Sequence, residues 1–290
     1  MNLDFTPDEL TSHIQKAGEV IRELYEERLG RHVFPGKTPE EIQSIFNESL
    51  PENGMDVQDL LAKVQRDVIG SATMNVGPHY YGYITGGGNQ VAILAEMISA
   101  SLNQNNLKWH SSPVSTELEM LVIKWVSQFI GYSDQAAGAI LDGGSTANLN
   151  CLAVARKNMA PDNLSAEGMY GLKPMTIYVS EEGHSSFDKA VDALGIGLNN
   201  LRKIPVDDQF KIRTDLLKEQ IQKDRKAGLN PICVIGIAGT TNSGAVDNLQ
   251  ELSEIANEEK LWYHVDAAYG GPAAKLSGVM ELFKGLEDAD

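Results

Sequence analysis

Apolar residues recur at Leu10, Ile14, Ala17, Ile21 and Leu24 in steps of four and three, the stripe of a single helix face. Just ahead of them, Thr6-Pro7-Asp8-Glu9 supplies a hydroxyl cap, a proline at the first helical position and a glutamate three residues after the cap. Thr38-Pro39-Glu40-Glu41 repeats the device, and a third helix is expected from Val57 to Ile69. Three amphipathic helices with few strand signals make a poor core of their own. This segment is expected to pack on another surface, such as a second subunit. Gly70 to Gly88 breaks the pattern with glycines and aromatics, and two helices should follow, Gln90 to Asn103 and Ser115 to Ile130. Gly131 closes the second.

From Ala139 the pattern changes to short apolar runs alternating with helical stretches. The runs Ala139–Leu141, Met175–Val179, Leu201–Ile204, Ile232–Ala238 and Leu261–Val265 are predicted strands, and helices should begin near Ser145, Ser185, Thr214 and Asn248. Strands alternating with helices of this length predict an α/β fold with a mostly parallel sheet covered on both faces. The expected organisation is a helical segment over 1–85 followed by an α/β domain over 86–290, without internal repeats.

Composition narrows the function classes. The 290 residues carry 24 Lys plus Arg against 40 Asp plus Glu, a net charge of −16 that repels phosphate backbones and anionic lipid. Neither nucleic acid nor membrane is therefore an expected partner. The longest apolar run, Pro231 to Ala238, falls far short of the ~20 residues of a spanning helix, and MNLDFTPDEL lacks the pattern of a secretory leader. Cys151 and Cys233 form no C-x-x-C pair and read as small core hydrophobes rather than a disulfide or zinc site. A reducing cytoplasm fits all of this.

In open α/β sheets, ligands bind at the carboxyl ends of strands, where helix N-termini point free N–H groups. Four strings fall there. Asp142-Gly143-Gly144-Ser145-Thr146-Ala147-Asn148 opens a helix, either as a phosphate cradle or as a plain turn. Ser180-Glu181-Glu182-Gly183-His184-Ser185-Ser186 places an imidazole at a strand end, although a capping or surface histidine has the same signature. Gly239-Thr240-Thr241-Asn242-Ser243-Gly244 is a polar turn after a buried strand. Asp266, ending the run LWYHV, is either solvated at the sheet's lip or paired with a cation, and His264 reads as a satisfied core histidine. No site has a metal-ligand pattern. An anion cradle, an imidazole, a hydroxyl turn and a carboxylate along one sheet edge suit a cofactor with a phosphate at one end and a cationic ring nitrogen at the other.

The set resembles the pyridoxal-phosphate-dependent amino-acid decarboxylases, the group that includes the aromatic-amino-acid and glutamate enzymes. The matching strings are Trp109-x-x-Ser-Pro-x-x-Thr-Glu-Leu-Glu119, GGSTAN at 143–148, HSS at 184–186, GTT at 239–241 and HVDAAYGG at 264–271. The resemblance implies an aspartate-aminotransferase-like (fold type I) large domain preceded by the helical segment, with pyridoxal 5'-phosphate as cofactor. Carried over position by position, Gly144 and Ser145 would bind the phosphate, and His184 would stack on one ring face with Ala268 under the other. Thr241 would lie beside the 3-hydroxyl, and Asp266 would pair with the ring nitrogen, keeping it protonated so that the ring accepts electrons. His184 and Asp266 would be the catalytic pair. The implied reaction is loss of carbon dioxide from an L-amino acid, and the implied assembly is a homodimer.

One departure bears on this. The family's Schiff-base lysine follows the aspartate by roughly thirty residues in a His-Lys pair. Here 24 residues follow Asp266, and Lys275 and Lys284 come too early, without a preceding histidine. Both read as surface lysines, and the chain is expected to be a fragment cut before that lysine and the small C-terminal domain. Alternatives are another pyridoxal-phosphate lyase of the same fold (sphingosine-phosphate-lyase-like or cysteine-desulfurase-like) or an inactive paralogue that only pairs with a partner. Tyr80, Tyr81, Tyr83 and Trp109 either line a substrate pocket or belong to the core.

Overall fold

The computed structural model describes residues 4–133, 135–161 and 163–290, which form two compact units meeting in sequence at Asn103 and Gln104. The first unit is helical. α1 (Pro7–Glu27) and α2 (Pro39–Ile45) each start on the expected capping box, with Thr6 and Glu9, then Thr38 and Glu41, bonding each other's backbone N–H. α3 (Val57–Lys63) is shorter than the pattern suggests. The chain stays helical beyond it, but as a π-type turn over Val64–Val68 and a 3-10 turn over Ile69–Ser71. α4 (Gln90–Leu102) starts on the Asn89 side chain, which accepts from the N–H groups of Val91 and Ala92. None of these helices buries a residue, and Met74 is the one buried hydrophobic side chain among the described residues of this unit.

The second unit opens with α5 (Pro113–Ile130), closed as expected by Gly131 at φ 83°. Then follow α6 (Gly144–Met159), the short α7 (Leu164–Glu167), β1 (Met175–Ser180), α8 (Ser186–Ala193), β2 (Leu201–Ile204), α9 (Thr214–Lys226), β3 (Asn230–Ile237), α10 (Leu249–Glu259) and β4 (Trp262–Asp266). The four strands form one parallel sheet in the order β2-β1-β3-β4. Strand alternation divides the core. Ile177, Val179, Cys233 and Ile235 face α6 and α8, packing on Leu152, Phe187 and Val191. Tyr178, Val234 and Tyr263 face α9 and α10, packing on Leu217, Ile221 and Leu252. At the sheet edge, Arg202 forks onto Asp224 through Nε and Nη2, both at 2.9 Å, and the Tyr178 hydroxyl reaches the same carboxylate. Among the described residues no helix is long and apolar enough to cross a membrane.

Two expectations need correction. Ala139–Leu141 is not a strand: the Ile140 N–H donates to the Glu119 carboxylate at 2.8 Å rather than to a ladder, and the Ile140 side chain is 58% exposed. Cys151 is not a core residue. On α6 the buried stripe is Asn148, Leu152 and Ala155, and Cys151 falls on its exposed flank, whereas Cys233 is buried in β3.

The ends of the strands are levelled by register and by one carboxylate. Ile237 pairs with Asp266, so β3 and β4 finish side by side. Beyond them an isolated antiparallel bridge joins Ala238 to Val246 and pinches off the loop that carries Thr241. Asp247 locks its base, accepting the N–H groups of Ile212 and Ile237 at 2.8 Å each. Burial pushes this carboxyl up to about 6 against the pull of those two bonds. A raised carboxyl binds its proton more tightly folded than unfolded, so its stabilisation is present below about pH 4 and lost as pH rises through about 6. Relative to an Asp247→Asn variant, wild-type stability in urea should fall by about 2 kcal/mol between about pH 4 and about pH 7. A difference that stays flat with pH would contradict the assignment.

Candidate active site

Three of the four strings follow β1, β3 and β4 at the carboxyl edge of this sheet, and the fourth, at the start of α6, lies against the turn after β4. α6 begins at Gly144 behind Gly143, which has φ 124° and nothing within 4 Å of where a Cβ would stand. No side chain caps α6. A helix N-terminus with free N–H groups and an open glycine approach is an anion site in waiting. A Cβ on Gly144 would come within 3.3 Å of the Ala268 Cβ, so the turn after β4 packs directly against this N-terminus. Ser145 is exposed in the first turn, at the head of a groove of about 220 Å³ between α6 and α8.

Asp266, the last residue of β4, is held by two neutral donors. The Ala268 N–H reaches Oδ1 at 3.1 Å and Asn148 Nδ2 reaches Oδ2 at 3.0 Å. Among the described residues no lysine or arginine pairs with it. His184 is exposed in the turn after β1, its Nδ1 accepting the Ser186 N–H at 3.2 Å. The Ser186 hydroxyl in turn accepts from Asn148 Nδ2 at 3.1 Å. A continuous run of bonds therefore joins His184 to Asp266. Thr241 is exposed on the β3 loop at the same edge, where Asn242 reaches the Glu182 carboxylate across the turn after β1, at 3.4 Å. No bond joins Thr241 itself to Gly144, Ser145, His184, Asp266 or Ala268.

Asn148, the last residue of GGSTAN, is a site residue that the motif by itself does not single out. A polar residue in register with Leu152 and Ala155 on the buried stripe of α6 was the available signal, because a buried amide must find partners. Its Oδ1 meets His264 Nε2 at 3.0 Å. His264 is the satisfied core histidine expected, edge-on to Phe187, and burial pulls its pKa down despite the negative charge of Asp266. The Cys151 thiol, partly shielded from water although the residue lies on the exposed flank of α6, is pushed up by that desolvation and by the same charge. Of the aromatic residues read as pocket or core, Tyr80 is half-buried, Tyr81 and Tyr83 are 87% and 93% exposed, and Trp109 is half exposed with its indole N–H on Glu117. Lys275 and Lys284 are surface lysines, the first over Gly131 at the end of α5 and the second paired with Glu281. A polar cleft of about 490 Å³ around Asp247 includes none of the predicted site residues.

The sequence profile described as "Pyridoxal-dependent decarboxylase conserved domain" matches residues 39–290. The chain belongs to the pyridoxal-dependent decarboxylase family. It is 33% identical over 249 residues to an aromatic-L-amino-acid decarboxylase of Bacillus atrophaeus, covering 86% of this chain and 50% of that protein. A histidine decarboxylase of Drosophila melanogaster is 34% identical over 298 residues, covering 97% of this chain and 34% of that one. Tryptophan decarboxylase of Catharanthus roseus, solved with L-tryptophan, superimposes with a TM-score of 0.90 at 29% identity, covering 99% of this chain and 62% of that structure. The chain thus spans about half the length of the curated relatives it matches. The family's cofactor, pyridoxal phosphate, suits the residues found here: an uncapped helix N-terminus with room at its glycines for the phosphate, and an oriented carboxylate without a cation for the ring nitrogen.

Proposed function

We propose that the protein carrying this chain is a pyridoxal-phosphate-dependent carboxy-lyase acting on an L-amino acid. The observation that carries the reading is Asp266, whose charge is left uncompensated and whose two oxygens are fixed by an amide and a backbone N–H at the edge where α6 offers its N-terminus. When bound, the cofactor supplies an electron sink conjugated to the substrate's α-carbon. The chain's residues do the rest. The Gly144 N–H and the Ser145 hydroxyl would bind the phosphate, where the helix dipole favours negative charge. The Asp266 carboxylate would hold a proton on the ring nitrogen, since an adjacent anion favours the protonated cation. His184 would cover one face of the ring, Ala268 the other, and Thr241 would stand beside the 3-hydroxyl.

The assembly proposed is a cytoplasmic homodimer. In support, the helices of the first unit bury no residue, and Val114, Trp125 and Phe129 on α5 are more than half exposed, an apolar surface that a second copy would cover. Two free cysteines fit a reducing compartment, and the net charge of −16 fits a protein without nucleic-acid or membrane partners.

The test is a decarboxylation screen on the product of the complete reading frame. Carbon dioxide and the matching amine should appear from at least one of the aromatic amino acids, histidine, glutamate or aspartate when pyridoxal phosphate is added. A preparation that binds the cofactor yet releases nothing from any of them would overturn the carboxy-lyase reading.

A further inference from the structure

Asn148 is 5% exposed and bonds to three residues on two other elements, Ser186 at the start of α8 and His264 and Asp266 on β4. Its Nδ2 donates to Asp266 Oδ2 at 3.0 Å and to Ser186 Oγ at 3.1 Å, and its Oδ1 faces His264 Nε2 at 3.0 Å. The direction of the amide is not free. Turned over, it would set its oxygen against the Asp266 carboxylate, two acceptors face to face. With the amide nitrogen on Asp266, Oδ1 can only accept, so His264 must carry its proton on Nε2. The imidazole proton, the amide and the carboxylate therefore specify one another. The same amide nitrogen reaches Ser186, whose N–H in turn supports Nδ1 of His184.

We propose that Asn148 is a positioning residue for the cofactor ring: it sets the plane of the Asp266 carboxylate and ties it to the His184 turn, so that the groups meeting the ring nitrogen and the ring face are held as one unit. Neither donor on Asp266 carries charge, so the carboxylate is aimed without being neutralised. A lysine or arginine in place of the amide would aim it too, but would cancel the charge meant for the ring nitrogen. The amide is the side chain that meets both needs while leaving an acceptor for the buried histidine.

This inference rests on the reading of the site as a pyridoxal phosphate site, and its test separates the two. The probes are pyridoxamine 5'-phosphate, which keeps the phosphate and ring nitrogen but needs no lysine, and its analogue with the ring nitrogen replaced by CH. Binding to the 290-residue chain is followed by tryptophan fluorescence. Wild type should prefer the nitrogen-bearing ligand by at least about tenfold. Asn148→Ala should lose about tenfold for that ligand and nothing for the carbon analogue, so the preference collapses. An Asn148→Ala protein that keeps the preference, or that loses both ligands equally, overturns the positioning role alone. A wild type without preference overturns the cofactor reading, and the positioning role with it. If Asn148→Ala does not fold, ¹⁵N-histidine spectra of the wild-type chain decide: His264 should carry its proton on Nε2 throughout, and a proton on Nδ1 overturns the arrangement.

Discussion

Asp266→Asn should leave the fold intact and weaken binding of pyridoxamine 5'-phosphate by about 100-fold, the upper end for a hydrogen bond to a charged group. Two effects combine. The charge that holds a proton on the ring nitrogen disappears, so a ring bound in the variant is no longer favoured as a cation. The new amide nitrogen also confronts a donor: if it takes the place of Oδ2, it meets Asn148 Nδ2 at the 3.0 Å of the present bond. Turning the new amide over sets its nitrogen against the Ala268 N–H instead, and turning Asn148 breaks its bond to His264 Nε2. Activity of the complete protein should fall further than binding, by about a thousandfold, because the lost charge acts where electron density builds in the ring. Thermal unfolding, ligand titration and turnover measured on the same preparations check this. Unchanged affinity for the ligand would remove Asp266 from the site.

Gly270→Ala should be severely damaging for the addition of a single methyl group. Its φ of −84° suits any residue, so backbone strain is not the reason. A Cβ there would stand 2.0 Å from the Ala238 carbonyl oxygen and 2.9 Å from its carbon, both backbone atoms that cannot swing aside. Ala238 is anchored on both sides, its N–H donating to the Asp266 carbonyl and its residue bridged to Val246. The methyl must therefore separate the turn after β4 from the loop after β3, the two segments that carry Asp266, Ala268 and Thr241. A loss of about 3 kcal/mol or more is expected, at or beyond the usual range for overpacking. Gly87→Ala is the matched control, since nothing lies within 4 Å of its added Cβ. Urea unfolding of both variants, with ligand binding of whatever folds, gives the comparison. A Gly270→Ala protein as stable as the control would mean that the turn after β4 does not pack on the Ala238 carbonyl.

Most of the architecture was legible because the local signals agree with the tertiary ones. Thr6 and Thr38 announce their helices with capping boxes, and Leu201–Ile204 is β2 to the residue. The failures have physical causes. Ala139–Leu141 is too short for alternation to distinguish a strand from an extended loop, and a glutamate twenty-one residues away takes the N–H that a neighbouring strand would have used. The stretch after Lys63 keeps a helical apolar pattern, which cannot report that its bonding shifts to a wider turn. Residue type alone puts Cys151 inside, whereas the stripe through Asn148, Leu152 and Ala155 puts it outside. The site was legible as four strings, three of them at strand ends and one at the start of α6. What joins them was not, because Asn148 bonds across 38, 116 and 118 residues of sequence, and no local pattern encodes such pairings.

That one amide serves three partners has a consequence for how this surface can change over generations. Ser186, His264 and Asp266 each depend on Asn148, so loss of any one alters what the others gain from it. Their substitutions should combine non-additively, the second doing less harm than it does alone. A lineage that replaces one of the four is then released from keeping the rest, and the quartet should be inherited, or abandoned, as a block.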